Sequence, residues 1–476
     1  MLRRVPDSDD SGALHGASDP GSLHGPSRLD SLHGPSALDA PALHRVLGLF
    51  DATAIVIGAI VGVGIFFTPG RVAALAGDLA LWAWAFGGLI ALLGALTFAE
   101  IGGMYPRTGA QYAALRDAYG SAVGFVYVVC NATAIQAGAI AIIALIAVQN
   151  AATALTGGEL PDGAAAPAAI LLTAVIAAAN LRDVRIGAHI TNLTTAAKLL
   201  ALVAVVCVGL AFDGPPAPSE PVVTAGPFVA LASGMVPVLF AFGGWQQALW
   251  IGGEIRDPVR NVPRAILGGV GVVVLVYLGA NWAYLHLLGV GGVARSQALA
   301  ADAVAVVFPG LAARAVAGAV AVSALGVLNA QILTGPRLIF ALAHDRRFFP
   351  IFGRVHATLG TPVPAILLLA ATAMLLLLAA GADGLDRLLT GVVLVDGVFF
   401  LLTALASLVL LRRHPRADRP VRMPGFPVIP LLFVLAELGV ILGAWMQPAV
   451  RSAAFVGVAW IAAAFVLYML RFRDRR

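Results

Sequence analysis

The segment NLTTAAKLLALVAVVCVGLAF, residues 192–212, holds a single charged side chain, and apolar runs of this kind recur along the whole chain. Each approaches the roughly 20 residues that a helix needs to cross the hydrocarbon of a bilayer. A membrane barrel would read instead as short alternating segments. The chain has 476 residues, of which 60% are hydrophobic and 12% charged, whereas a soluble domain is about half apolar and about a quarter charged. A soluble enzyme is therefore excluded, and the pattern defines an all-α membrane protein.

Twelve transmembrane helices are expected, at about 46–75, 79–102, 121–154, 167–182, 187–212, 227–254, 264–289, 312–343, 363–381, 385–411, 427–446 and 451–471. The net charge of +5 does not point to nucleic acid, because the arginines sit in short loops between apolar segments. One set of alternate loops holds Arg107, Arg116, Arg182, Arg185, Arg256, Arg260, Arg264, Arg346, Arg347, Arg354, Arg412, Arg413, Arg416, Arg419 and Arg422. The opposite set holds only Arg71, Arg295, Arg387 and Arg451. That asymmetry places both termini in the cytoplasm.

Residues 1–44 are polar and carry a repeat of period nine, Leu14-His15-Gly16, Leu23-His24-Gly25 and Leu32-His33-Gly34. They read as a disordered low-complexity cytoplasmic tail, with weak metal binding by the three histidines as the alternative. No apolar core follows the first basic residues, so no cleavable signal peptide is expected. Cys130 and Cys207 both lie in apolar runs and define neither a disulfide framework nor a metal site. No P-loop, H-E-x-x-H or nucleophile elbow is present, no cofactor is implied, and an ATP-driven pump is excluded within these residues.

Two spans carry helix-breaking residues near mid-membrane. The first reads IVIGAIVGVGIFFTPG, with Gly58, Gly62 and Gly64; the sixth reads GMVPVLFAFGGWQQALWIGGEI, with Pro237, Gly243 and Gly244. Either alone could reflect close packing, for which glycine is common in membrane helices. Interruptions five spans apart point to a transporter built from two inverted halves of five helices. The N–H groups opening a half-helix suit a carboxylate, and freed carbonyls suit an ammonium. A site with both suits a zwitterion such as an amino acid.

Of the 30 basic residues, Lys198 is the only lysine, and it lies inside the fifth apolar span, where charge is expensive. Its ammonium can donate three hydrogen bonds to carbonyls freed near Gly62. The alternative is a side chain snorkelling to an interface. Arg185, the nearest cytoplasmic arginine, is thirteen residues earlier, about 20 Å of helix, which disfavours it.

These residues resemble the amino acid–polyamine–organocation superfamily, and within it the L-type amino acid transporter branch. IGAIVGVGIFFTPG is similar to the first-helix signature, usually written with G-S-G-I-F, and FAFGGWQQALWIGGEIRDPVRNVPRAI to the sixth-helix motif and its following loop. YPRTGAQYAALRDAYG, AAKLLAL and RLIFALAHDRRFFPIF match in order and spacing, so the resemblance covers roughly 45–425. It implies a LeuT-type 5+5 inverted repeat with discontinuous helices 1 and 6: a ten-helix transport core at 45–411, then helices 11 and 12 with a short cytoplasmic C-terminus at 412–476.

The resemblance also implies roles. Backbone N–H groups at Gly62, Val63 and Gly64 would hold a substrate carboxylate, and carbonyls near Ile60 and at Phe240, Ala241 and Phe242 its ammonium. Phe240 would double as a lid, Gly243 would leave room for the substrate side chain, and Gln246 would line the pocket. Lys198 matches the branch lysine that stands where sodium-coupled relatives bind a sodium ion. Val63 replaces the usual serine, and Val327 falls where a hydroxyl residue often sits near the lysine. Asp396 in the tenth span, GVVLVDGVFFLL, falls at a pocket-facing position that is often Asn; it would pair with a cationic side chain, carry a proton, or be a protonated structural acid. Glu437, outside the ten-helix core, reads as structural. Glu100 and Glu254 read as inner-gate charges paired with arginines such as Arg182 or Arg337. Asn131, Gln136, Asn329 and Gln331 face either the cavity or a neighbouring helix.

The expected activity is Na+-independent amino acid transport by alternating access in the cell membrane, with exchange as the mode. Proton-coupled symport and an amine or polyamine substrate are the alternatives, and a non-transporting nutrient sensor is the rival from another class. Animal members of the branch are linked to a single-span heavy chain through a cysteine in the loop after the third span. That loop here, TALTGGELPDGAAAP, has no cysteine, so no disulfide-linked heavy chain is expected and the chain would act as a monomer or homo-oligomer.

Overall fold

The computed structural model describes residues 43–62, 64–161, 163–212, 226–296, 298–307, 312–413, 419–446 and 448–473. The tail histidines His15, His24 and His33, and Val63 of the first-helix signature, lie outside them. Among the described residues there is no strand, only an isolated bridge between Leu47 and Ile255.

The chain runs through α1 (Leu49–Ile60), α2 (Gly64–Ala76), α3 (Ala80–Met104), α4 (Ala110–Tyr119), α5 (Ser121–Cys130), α6 (Ala137–Thr156), α7 (Ala165–Arg182), α8 (Val184–Ala211) and α9 (Pro227–Ala241). It continues with α10 (Gln247–Trp250), α11 (Pro258–Arg295), α12 (Leu299–Ala305), α13 (Ala312–Thr334), α14 (Pro336–His344), α15 (Val363–Arg413), α16 (Val428–Met446) and α17 (Pro448–Leu467). A π-helical turn, Asn131–Gln136, joins α5 to α6, and α11 bends at Gly289, where φ is 66°.

Eight helical stretches are long and apolar enough to cross a membrane, the longest, Gly64–Met104, comprising α2 and α3. Four further apolar helices are shorter: Leu49–Ile60, Pro227–Ala241, Val363–Ala379 and Val428–Gly443. The first two are short because each stops where its span is interrupted. Chain chemistry matches the lipid setting most plainly on α8. Leu193, Leu200 and Leu210 are exposed there, while Thr191, Thr194, Thr195 and Lys198 are buried. That pattern is inside out for a soluble helix. It is required in hydrocarbon, where polar groups find partners only within the protein.

The sequence places the interruptions at five glycines and one proline, and the structure sorts them. Gly58 lies within α1 and Pro237 within α9, so neither ends its helix. Gly58 is instead a packing residue: a Cβ there would lie 2.7 Å from Thr195 Oγ1. The chain leaves helical geometry at Val61–Gly62 and again over Phe242–Gln246. Small residues also bring the helices around these breaks together. A Cβ on Gly87 of α3 would lie 2.2 Å from Val238 of α9, and one on Gly88 would lie 2.9 Å from Val274 of α11. Thus α1 packs on α8, α11 and α13, and α2 on α9 and α11.

The two breaks touch at Gly244. Its φ of 128° is one that L side chains rarely adopt, and a Cβ would sit 2.8 Å from both the carbonyl carbon and oxygen of Ala59. Gly244→Ala should therefore combine about 1–3 kcal/mol of backbone strain with a clash against fixed backbone. The expected result is a melting temperature in detergent lowered by several degrees and lost uptake. Gly268→Ala, on open helix surface, should melt like wild type.

Candidate binding site at the two helix breaks

When α1 stops at Ile60, its last carbonyls lose the partners that a continuing helix would supply. Inside a membrane each must be satisfied by the protein. Lys198 on α8, 1% exposed, takes two of them: its Nζ donates to Gly58 O at 2.8 Å and to Val61 O at 2.7 Å. A third, Ile60 O, accepts from Gly62 N–H at 2.8 Å and from the hydroxyl of Tyr277 on α11 at 3.0 Å. The same Oη lies 3.4 Å from Ala241 O, the last carbonyl of α9. One turn further back, Thr195 donates to Ala54 O at 3.2 Å.

On its other side the lysine meets α13. A Cβ on Gly326 of α13 would meet Lys198 Nζ at 3.4 Å, and Val327 faces Gly62, whose Cβ would lie 3.5 Å from its Cγ2. Lys198 thus ties α8 to α1 where α13 passes. Glycine at 326 leaves the space that the Thr194 side chain occupies, since a Cβ there would lie 2.5 Å from its Oγ1.

At the second break, Phe242 N–H donates to Val238 O and Gly243 N–H to Phe240 O. Phe240 and Phe242 part company here. The Phe240 side chain is 53% exposed, whereas Phe242 is fully buried, its ring 5.8 Å from Trp84 and 5.2 Å from Tyr277. Ala241 and Ile60 are buried; Gly62, Gly64, Gly243 and Gly244 are partly exposed. Gln246 is buried and its Oε1 has no hydrogen-bond partner among the described residues. Its neighbour Gln247 is engaged, donating to Gln331 Oε1 at 3.0 Å and accepting from Thr334 Oγ1 at 2.9 Å. The arrangement therefore presents carbonyls from both breaks beside the N-terminal turn of α2, whose first N–H groups have no intrahelical partner.

Glu254 and Arg337 form a buried fork, with Nε to Oε1 and Nη2 to Oε2 both at 3.1 Å. Of the arginines expected near it, Arg182 lines the same cleft as Glu254 without pairing to it. Glu100 pairs instead with Arg419, at 3.1 Å, from the loop before α16. That partner was not apparent because the two residues are 319 positions apart in the chain.

Asp396 lies on α15. Among the described residues no hydrogen bond or ion pair joins it to either break. Glu437 packs against that helix at Gly397, where a Cβ would lie 3.9 Å from Glu437 Oε2, an ordinary contact. Asn329 faces neighbouring helices, donating to Gly187 O and Thr191 Oγ1 and accepting from Asn180. Asn131 and the Gln136 Oε1 are buried without partners among the described residues.

Tyr277 is the residue that sequence reasoning missed. A hydroxyl within the apolar run VLVYLGANWAY was the available signal, but Tyr284 in the same run gives the same signal. The two differ only in three dimensions: the Tyr284 hydroxyl is buried and has no partner among the described residues.

Residues 47–471 match the profile of a family described as amino acid permease. The chain is 28% identical over 404 residues to the serine/threonine exchanger SteT of Bacillus subtilis (strain 168), covering 84% of this chain and 91% of that one. It is 31% identical over 448 residues to large neutral amino acids transporter small subunit 2 of Homo sapiens, covering 90% and 81%. With b(0,+)-type amino acid transporter 1 of Homo sapiens it shares 29% identity over 417 residues, covering 84% and 82%. A match of this extent, on a chain of apolar helices, makes this a multi-pass membrane transporter and not an enzyme: the chain belongs to the amino acid permease family and resembles its L-type branch.

Proposed function

We propose that this protein is a Na+-independent amino acid exchanger of the cell membrane, working by alternating access at the two helix breaks. The observation that carries the reading is the pair of hydrogen bonds from Lys198 to Gly58 O and Val61 O. A fixed ammonium there does what a bound sodium ion would do, neutralising carbonyls at the break and holding α1 to its neighbours, so no ion need bind from solution. Exchange of amino acids is supported by the relatives, which include a serine/threonine exchanger and two amino acid transporters.

In this reading the substrate carboxylate rests on N–H groups of Gly62, Val63 and Gly64, the first of which here donates to Ile60 O at 2.8 Å, and its ammonium on carbonyls at Ile60, Phe240, Ala241 and Phe242. The exposed Phe240 ring closes over the substrate, Gly243 makes room for its side chain, and Gln246 offers an unpaired amide oxygen. Glu254–Arg337 and Glu100–Arg419 close the cytoplasmic side. The architecture is the twelve-helix 5+5 repeat, with α1–α2 and α9–α10 as its two discontinuous members, a core at 45–411, and both termini in the cytoplasm. No heavy chain is attached through a disulfide; Cys130 is buried, and Cys207 lies on α8. The protein works as a monomer or homo-oligomer.

Counterflow into proteoliposomes tests this. Vesicles loaded with unlabelled L-leucine or L-threonine should take up the same labelled amino acid equally well with choline in place of sodium. Uptake abolished in choline would refute Na+-independence, and equal uptake into empty vesicles would refute exchange. Lys198→Met should cut uptake at least tenfold whether or not sodium is present, because it leaves two carbonyls without donors at mid-membrane.

One observation favours proton symport instead. Glu437 approaches the helix that carries Asp396: a Cβ on Gly397, the next residue, would lie 3.9 Å from Glu437 Oε2. Intramembrane carboxyls are the usual carriers of a transported proton. Under that reading an inward proton gradient raises uptake, and Asp396→Asn removes the dependence. If Asp396→Asn keeps both the pH profile and the substrate profile of wild type, neither proton nor substrate binding involves this carboxylate.

A further inference from the structure

We propose that Gln111 is a positioning residue, a latch that holds α10 closed beneath the second break and releases it once in each transport cycle. The inference rests on reading the two breaks as the site of alternating access. α10 follows the second break directly, and all four of its residues are buried, so substrate passes it only when α10 parts from a neighbour. Gln111 of α4 is 1% exposed, and its amide bonds to three other helices. Its Oε1 accepts from the indole Nε1–H of Trp250 on α10 at 2.9 Å and from the hydroxyl of Tyr127 on α5 at 2.6 Å. Its Nε2 donates to Thr403 Oγ1 on α15 at 3.0 Å, and Thr403 donates its own hydrogen to Phe399 O at 2.6 Å. An indole only donates, so the amide oxygen must face Trp250, and both of its lone pairs are taken.

Among the described residues, α10 is held unequally on its two sides. Towards α13, Gln247 bonds to both Gln331 and Thr334, and just past α10 the Glu254–Arg337 fork makes two more bonds. Towards α4, the Trp250 side chain reaches Gln111, joined by one backbone bond from Gly109 N–H to Trp250 O at 2.9 Å. The residues that follow present no side chain to this seam. A Cβ on Gly252 would lie 2.9 Å from Arg107 O, and one on Gly253 would lie 3.2 Å from Thr108 Cβ. A glycine-faced contact closed by few bonds is where two packed segments separate with least loss. Releasing Trp250 leaves Tyr127 and Thr403 on the amide, so Gln111 stays in place and the latch can close again.

The latch is tested from both faces of the membrane. KM for labelled L-leucine or L-threonine is measured in right-side-out and inside-out vesicles, with the opposite face saturated by the unlabelled amino acid. Trp250→Phe keeps an aromatic ring and removes only the bond to Gln111. It should favour the state open to the cytoplasm, raising KM about threefold from outside and lowering it about threefold from the cytoplasmic face. Tyr127→Phe, which leaves the Trp250 bond intact, should keep the ratio of the two KM values within about twofold of wild type. A ratio unchanged in a Trp250→Phe protein that melts like wild type would overturn the proposal, as would an equal shift in Tyr127→Phe. Should Trp250→Phe not be recovered folded, a clamp across the same seam carries the test. Thr108→Cys paired with Gly253→Cys sets two Cβ atoms 3.2 Å apart, close to the roughly 3.5–4.5 Å of a disulfide. Oxidation should abolish counterflow in the paired variant and dithiothreitol should restore it, with neither single variant responding. Undiminished counterflow by the crosslinked protein would overturn the proposal. Wild-type protein that neither transports nor is thermally stabilised by either amino acid would overturn the underlying amino acid reading instead.

Discussion

A helix that stops halfway across a membrane leaves carbonyl oxygens where no water can reach them, and each unsatisfied group costs several kcal/mol. The organisation around α1 follows from that constraint. Gly58 O and Val61 O go to the Lys198 ammonium, and Ile60 O to the Tyr277 hydroxyl. Donors therefore come from two helices, α8 and α11, that flank the break and remain continuous past it. The break is stable because its neighbours are not broken at the same depth.

The same solution explains how the site can be both held and free to act. Lys198 is buried among threonines and faces glycine across the gap at 326, so its charge is committed to backbone. The Tyr277 hydroxyl shares its single proton between two segments. Phe240, by contrast, leaves its ring exposed while Phe242 anchors the same turn in the aromatic cluster with Trp84. One turn thus carries a fixed aromatic and a free one. Distant ion pairs, Glu254–Arg337 and Glu100–Arg419, fasten the chain elsewhere, the first between fully buried partners.

Part of this was legible in the chain. Apolar runs announced membrane helices, and a lone lysine inside one announced a buried donor. The two glycine-rich interruptions marked the breaks to within a few residues. The individual roles of those residues were not legible. Gly58 and Pro237 are as helix-breaking in sequence as Gly62 and Gly244, yet both sit within continuous helix. What distinguishes them is the neighbour: Thr195 against Gly58, the Ala59 backbone against Gly244. Arg419 was likewise one of many loop arginines until the fold set it against Glu100.

The sequence by itself determined that this is a helical membrane protein with two interrupted spans and one intramembrane lysine, because period, length and charge are local properties of a chain. Only the tertiary structure decided which carbonyls the lysine satisfies, that Tyr277 rather than Tyr284 reaches carbonyls of both breaks, and that Glu437 approaches the helix of Asp396 at Gly397. Those are pairings between residues far apart in the chain. In a low-dielectric interior the value of a polar group lies in its partner, and composition does not name partners.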